Sequence, residues 1–223
     1  MAYGMGGGNR NYDPSLKGLP SNSFVGIDGE LSDVEVADLT PDDGGRILKS
    51  FWHVGRAVKP ETVPTKLRRT GPPVSRAKLL DINAQTGSLD LVCQTFKDIV
   101  EEFEPDVHQF FPMTYYNSKG TEVIGEGYFM VICQRISTLH ETLCVPPLDE
   151  RGRYKSTSVE ESPDYQKRDK SLDRKMYSTS KIGGRHMWRD IKNAGPFMFS
   201  NALGERLIAA NLSGLVYWTY EEA

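Results

Sequence analysis

Apolar residues are spaced unevenly along this chain, and their spacing predicts most of its elements. Phe96, Ile99, Val100 and Phe103 recur at three- and four-residue intervals, the period of one helix face. The spacing predicts a helix over 94–103, which Pro105 ends. Before it, Leu79, Leu80 and Ile82 predict one short strand and 89–92 a second. After it, 107–116 is aromatic and β-prone, and Asn117-Ser118-Lys119-Gly120 reads as a hairpin turn. The run 127–137 is almost continuously apolar, the pattern of a central strand covered on both faces. Further on, 196–199 reads as a strand and 201–210 as a helix. Ser200 is its N-cap, residues 211–214 are its stop, and 215–220 is a terminal strand.

Elsewhere the pattern is weaker. Residues 1–23 are rich in Gly, Asn, Ser and Pro and read as a disordered or draped segment. Residues 24–43 carry seven acids and no base, with Leu31, Val34, Val36 and Leu39 offering one short strand or turn. The run 47–58 is apolar enough to reach a core, and Pro60 and Pro64 interrupt any regular element after it. Residues 66–78 are basic and turn-rich. Residues 145–185 mix charges with Pro, Ser and Gly and read as a long polar excursion, with a short helix near 163–173. The predicted fold class is α+β: a mixed, mainly antiparallel sheet with a few helices, forming one domain over 24–223. The strand–helix–strand unit of 89–116 is echoed in 196–220, with Cys93 aligned to Ser200, Phe96 to Leu203 and Val100 to Leu207. This is a pattern that an internal repeat would leave.

Charge and cysteine usage narrow the function classes. The formal net charge is −3, which argues against a general nucleic-acid binder and suits a basic protein partner. The three cysteines, Cys93, Cys133 and Cys144, form no CxxC pair, and two sit in apolar runs. Buried free thiols in a reducing, cytoplasmic compartment are the reading. No secretory signal and no apolar stretch of membrane-spanning length is visible.

Candidate chemistry is sparse. His53, His108, His140 and His186 are scattered outside any metal spacing, and His140-Glu141 begins an HExxH-like pattern that fails because position 144 is Cys. The glycine run at 4–8 has no preceding strand and no Lys-Ser/Thr after it, so it is not a phosphate loop. Glu101-Glu102 lies on the solvated side of the predicted helix, and nothing sets a separation between Glu160-Glu161 and a second acid. Cys93, where strand meets helix, is the one position at which a helix N-terminus would lower a thiol pKa. Its alignment with Ser200 favours a capping role. The reading is therefore no catalytic residue, no metal and no cofactor.

Three segments together are similar to a known family. They are TGSLDLVCQTFKDIVEEFEPDVHQFFPMTY, GYFMVICQRISTL and PFMFSNALGERLIAANLSGLVYWTY. Their succession resembles the eleventh family of bacterial immunity proteins encoded in polymorphic toxin systems, over roughly 75–220 with 145–185 unmatched. Cys93 stands where that family's pattern has Ser. The resemblance implies a non-enzymatic protein of the bacterial cytoplasm that binds and neutralises a cognate toxin, with no catalytic residue to carry over. On the residues themselves, the partner-binding candidates are Asp28, Glu30, Asp33, Glu35 and Asp38 as an electrostatic lure, and Tyr115, Tyr116 and Trp188 as aromatic anchors. A homodimer is compatible with the pattern. Two rival readings stay open: nucleic-acid contact through Lys66, Arg68, Arg69, Arg76 and Lys78, and an enzyme centred on Cys93 or His140.

Overall fold

In the computed structural model, residues 1–7, 23–42, 45, 47, 54–70, 79–83, 91–154, 173–193 and 197–223 are described. The expectations placed on 8–22, on His53, on Arg76 and Lys78, and on most of the excursion (Glu160-Glu161 and the helix near 163–173) lie outside these residues.

The strands form two six-stranded sheets. Sheet one contains β2 (Ser23–Gly26), β3 (Lys66–Thr70), β4 (Ile82–Asn83), β5 (Leu91–Val92), β6 (Gln109–Tyr116) and β7 (Val123–Val131), in the order β2-β3-β6-β7-β5-β4. Only β3 and β6 run parallel. Sheet two contains β1 (Ala2–Gly7), β8 (Arg135–Ile136), β9 (Met176–Tyr177), β10 (Met187–Asp190), β11 (Phe197–Phe199) and β12 (Leu215–Glu222), in the order β8-β10-β11-β1-β12-β9. Here β8–β10 and β12–β9 are parallel. The described helices are α1 (Gln94–Phe103), α2 (Thr179–Ile182) and α3 (Asn201–Ala209). The fold is α+β with mixed, mostly antiparallel sheets, as the pattern predicts.

Strand alternation assigns the side chains to three apolar clusters. Val92 and Met130 of sheet one, with Ile132 just beyond β7, meet Tyr3, Met187, Phe197 and Phe199 of sheet two around Phe96, Ile99 and Val100 of α1 and Leu203 and Leu207 of α3. The two helices therefore pack between the sheets. The alternate residues Leu91, Met113, Tyr115, Phe129 and Val131 point to the other face of sheet one, where Phe24, Leu31, Val34, Val58 and Val63 cover them. Ala2, Trp188 and Met198 point to the far face of sheet two, beneath Leu139, Cys144, Met176, Tyr177 and Ile182.

Several expectations are met closely. The helix spans Gln94–Phe103. Asn117 closes the β6–β7 hairpin: its side-chain oxygen accepts from the Lys119 and Thr121 N–H groups, and Gly120 takes φ 71°. Ser200 caps α3 by accepting from the Leu203 N–H at 3.3 Å. Cys93 occupies the matching N-cap position of α1.

Other expectations are corrected. Residues 2–7, read as part of a loose end, form β1 in the interior of sheet two, bonded to both β11 and β12. The Tyr3 ring lies against Gly204 of α3 so closely that a Cβ there would stand 2.2 Å from it, which is why a small residue is needed on the helix. The run 127–137 is not one strand. It leaves sheet one after Val131 and re-enters as β8 in sheet two. The ends of the 145–185 excursion are ordered, because Met176, Tyr177 and Ile182 complete the third cluster and Val145 bridges Arg174. The pairing β5-β7-β6 around α1 corresponds to β11-β1-β12 around α3, each a parallel pair split by an antiparallel strand. That likeness is one of topology and does not establish the repeat.

Candidate partner-binding surfaces

The acidic segment after β2 reflects a simple division of labour. Leu31, Val34 and Val36 turn inward, and the acids between them turn out. Several of those acids are then used within the fold. Asp28 accepts from the Thr65 and Lys66 N–H groups and the Thr65 hydroxyl, anchoring the start of β3. Slight burial works to raise its pKa, but these bonds hold it below the ordinary range. Asp38 accepts from the Thr40 N–H and lies 3.4 Å from the Arg56 guanidinium. Asp42 joins Arg56 at 2.8 Å and Arg135 at 2.9 Å, tying this segment to β8. Glu35 pairs with Lys59 at the surface. Glu30 and Asp33 are exposed and make no ion pair with a described base. Of the acids expected to draw a partner, Glu30 and Asp33 are the ones left without a described ion-pair partner, and Glu35 is paired with Lys59 beside them.

The aromatic candidates separate sharply. Tyr115 is 2 % exposed and stacks on Phe24, and Trp188 is fully buried, its indole N–H donating to the Thr138 hydroxyl. Both are core residues, so the expectation that they anchor a partner is corrected. Tyr115 points to the face of β6 that Leu31, Val34, Val58 and Val63 cover, and Trp188 stands on a strand buried along its whole length. Tyr116, one residue on from Tyr115, points to the opposite and partly open face, in register with Arg68 of β3. Sequence reasoning missed Tyr217 and Trp218 as surface groups. They are 47 % and 38 % exposed on β12. The uncharged run 215–220 reads as a terminal strand, and nothing in its pattern marks which of its faces is open.

Among the described residues, the thiols have no activating partner arrangement. Burial pushes the Cys93 thiol up, more than the Phe96 and Thr95 N–H groups lower it. Burial likewise raises Cys144, and raises Cys133 to about 11. The Cys144 thiol bonds the His140 carbonyl rather than its ring, and that ring accepts from the Thr142 N–H. Among the described residues, no three His, Cys, Asp or Glu side chains gather as a metal site. No helix of the described residues is long and apolar enough to cross a membrane.

The most concentrated polar site is a buried joint. Glu104, at the end of α1, accepts from His108 Nε2 (2.8 Å), Gln134 Nε2 (2.7 Å) and the N–H groups of His186 (2.7 Å) and Met187 (2.9 Å). The Cys133 N–H donates to His108 Nδ1, which leaves the proton on Nε2 to face Glu104. Burial would raise the Glu104 pKa, but the bonds from His108, the His186 N–H and Gln134 outweigh it and hold the carboxyl low. This site bends the chain between β7 and β8 and locks β10 beside it. Its role is architectural.

Among comparisons with known proteins, residues 55–222 match the model of one family, described as an immunity protein family (Imm11). No curated protein matches the chain.

Proposed function

The chain belongs to the Imm11 immunity protein family, and from that premise we propose that it binds one cognate bacterial toxin and neutralises it by stoichiometric contact, without chemistry of its own. The family match over 55–222 carries this reading. The three thiols support it, since burial keeps each protonated and a poor nucleophile. So does the turning of Glu104 and His108 to structural use. Glu30, Asp33 and Glu35 form an exposed acidic ridge suited to orienting a basic toxin surface, with Tyr116 as an aromatic contact on a different face. We place the protein's action in the bacterial cytoplasm.

The test is a pull-down with tagged chain from its native host, followed by co-expression. Recovery of one toxin at one-to-one stoichiometry, with toxicity abolished and C93S equally protective, supports the reading. Recovery of no protein partner, or protection lost in C93S, defeats it.

A second reading draws on one observation. β3 sets Lys66 and Arg68 on its exposed side in register with Thr114 and Tyr116, so tertiary structure supplies the aromatic neighbour that the basic stretch lacks in sequence. A salt-dependent shift of any DNA or RNA, lost in the double variant K66A/R68A, would favour nucleic-acid contact.

A further inference from the structure

Among the described residues, β12 has one covered edge and one largely open edge. β1 pairs with it from Leu215 through Tyr220, whereas β9 meets its other side only at Glu221 and Glu222. Ala223 donates its N–H to Tyr177 and accepts from the Thr179 N–H on that outer side. Backbone groups alternate along a strand, so those of Tyr217 and Thr219 face outward as well, with the Leu215 carbonyl, while the Leu215 N–H donates to the Leu212 carbonyl. Among the described residues, no backbone partner meets the N–H or C=O of Tyr217 or Thr219. The stretch 215–220 also lacks the lysine, proline or bulge with which edges are blunted against pairing. Apart from Thr219, its side chains are apolar or aromatic on both faces. Tyr217 lies edge-on to Tyr3 on the helix side, and Trp218 donates to the Tyr220 hydroxyl on the other.

We propose that this edge pairs antiparallel with the same edge of a second copy of the chain, about a twofold axis through Tyr217. Antiparallel pairing requires outward-bonding residues to face each other. An axis at Tyr217 meets this: Tyr217 faces Tyr217, and Leu215 faces Thr219 of the second copy. The pairs between them, where side chains approach closest, are then Val216 with Trp218 of the second copy, a favourable aromatic–β-branched combination. Every facing residue is uncharged, and Glu221 and Glu222 fall beyond the paired stretch. An axis at Trp218 would set Leu215 against Glu221, whose edge β9 already occupies. A copy of the chain thus satisfies bonding phase, charge and face together. The interface is small, so the dimer is weak.

The inference stands apart from the toxin reading and is tested on the full chain alone. Sedimentation of the purified protein across a wide concentration range should show mass rising from one chain to two. Y217K and Y217E should each remain monomeric, because like charges then face each other across the axis. Mixing Y217K with Y217E should restore a dimer, since the two charges are opposite only if the axis passes through position 217. T219P removes an outward N–H that β1 does not use, and should weaken the dimer while leaving the melting curve of the monomer largely unchanged. A wild-type chain that is monomeric throughout overturns the proposal. So does a dimer that persists in both charged variants, or a mixture of Y217K and Y217E that stays monomeric.

Discussion

At the scale of single residues, Glu104 is the position on which most depends. Four donors converge on one buried carboxylate. Glutamine cannot replace it cleanly, because its NH2 would face donors and leave at least one unpaired. E104Q should lower the unfolding free energy by about 3 kcal/mol, measured by urea denaturation at neutral pH. The pH dependence comes from the same bonds. The folded carboxyl titrates below its ordinary 4.5. Its contribution is therefore present above that pH and is lost as pH falls through the folded value. Wild-type melting temperature should drop on acidification below this point. E104Q should start lower and lose less over the same window. A parallel loss in both proteins would show that Glu104 is not the titrating group.

At the scale of elements, the packing of β1 against α3 sets two effects in opposition. Gly204 lies inside a helix, where alanine ordinarily gains about 0.5–1 kcal/mol. Its missing Cβ is also what admits the Tyr3 ring, 2.2 Å from where that atom would be. Overpacking of this kind costs about 1–3 kcal/mol, and a rigid ring backed by a strand gives way poorly. G204A should therefore destabilise the protein by about 1–2 kcal/mol in chemical denaturation, against the helix-propensity trend. A stabilised G204A would mean that β1 and α3 separate easily. The α1 and β6–β7 elements carry no such conflict. Their apolar period, proline stop and Asn-to-Gly turn agree with one another, and for this reason α1, β6 and the turn were legible from sequence to within a residue or two, whereas β7 begins at Val123, ahead of the run read as a strand. The 127–137 run was misread as one strand because its apolar character is continuous across the bend. The bend is imposed by Glu104 and His108, side chains more than twenty residues away in sequence.

At the scale of the molecule, two sheets enclose one helical layer, and β1 lies between β11 and β12, bonded to both. This strand lies outside the family-matched stretch 55–222, yet Ala2 and Tyr3 sit in two of the three apolar clusters. Deleting residues 1–7 should unpair sheet two and expose Trp188, seen as a red-shifted, quenchable tryptophan emission and loss of near-ultraviolet circular dichroism. Retention of native emission by the shortened chain would show that β1 is dispensable. The same layering explains why the aromatic candidates divided as they did. Tyr115 and Trp188 point to covered sheet faces, whereas Tyr217 and Trp218 stand on the strand with an open edge.

The sequence by itself determined the elements whose signals are local: α1, the β6–β7 hairpin, the Ser200 cap, and the α+β class that their succession implies. It also carried the family resemblance, because those packing and turn positions recur in order along the chain. Tertiary structure alone decided which acids are free, which aromatics are buried, that a glycine-rich stretch becomes an interior strand, and where an edge is left unpaired. Propensity and periodicity act between neighbours a few residues apart. Burial and hydrogen-bond satisfaction depend on what a distant segment lays against each face, as Thr65 does for Asp28 and Gly204 for Tyr3.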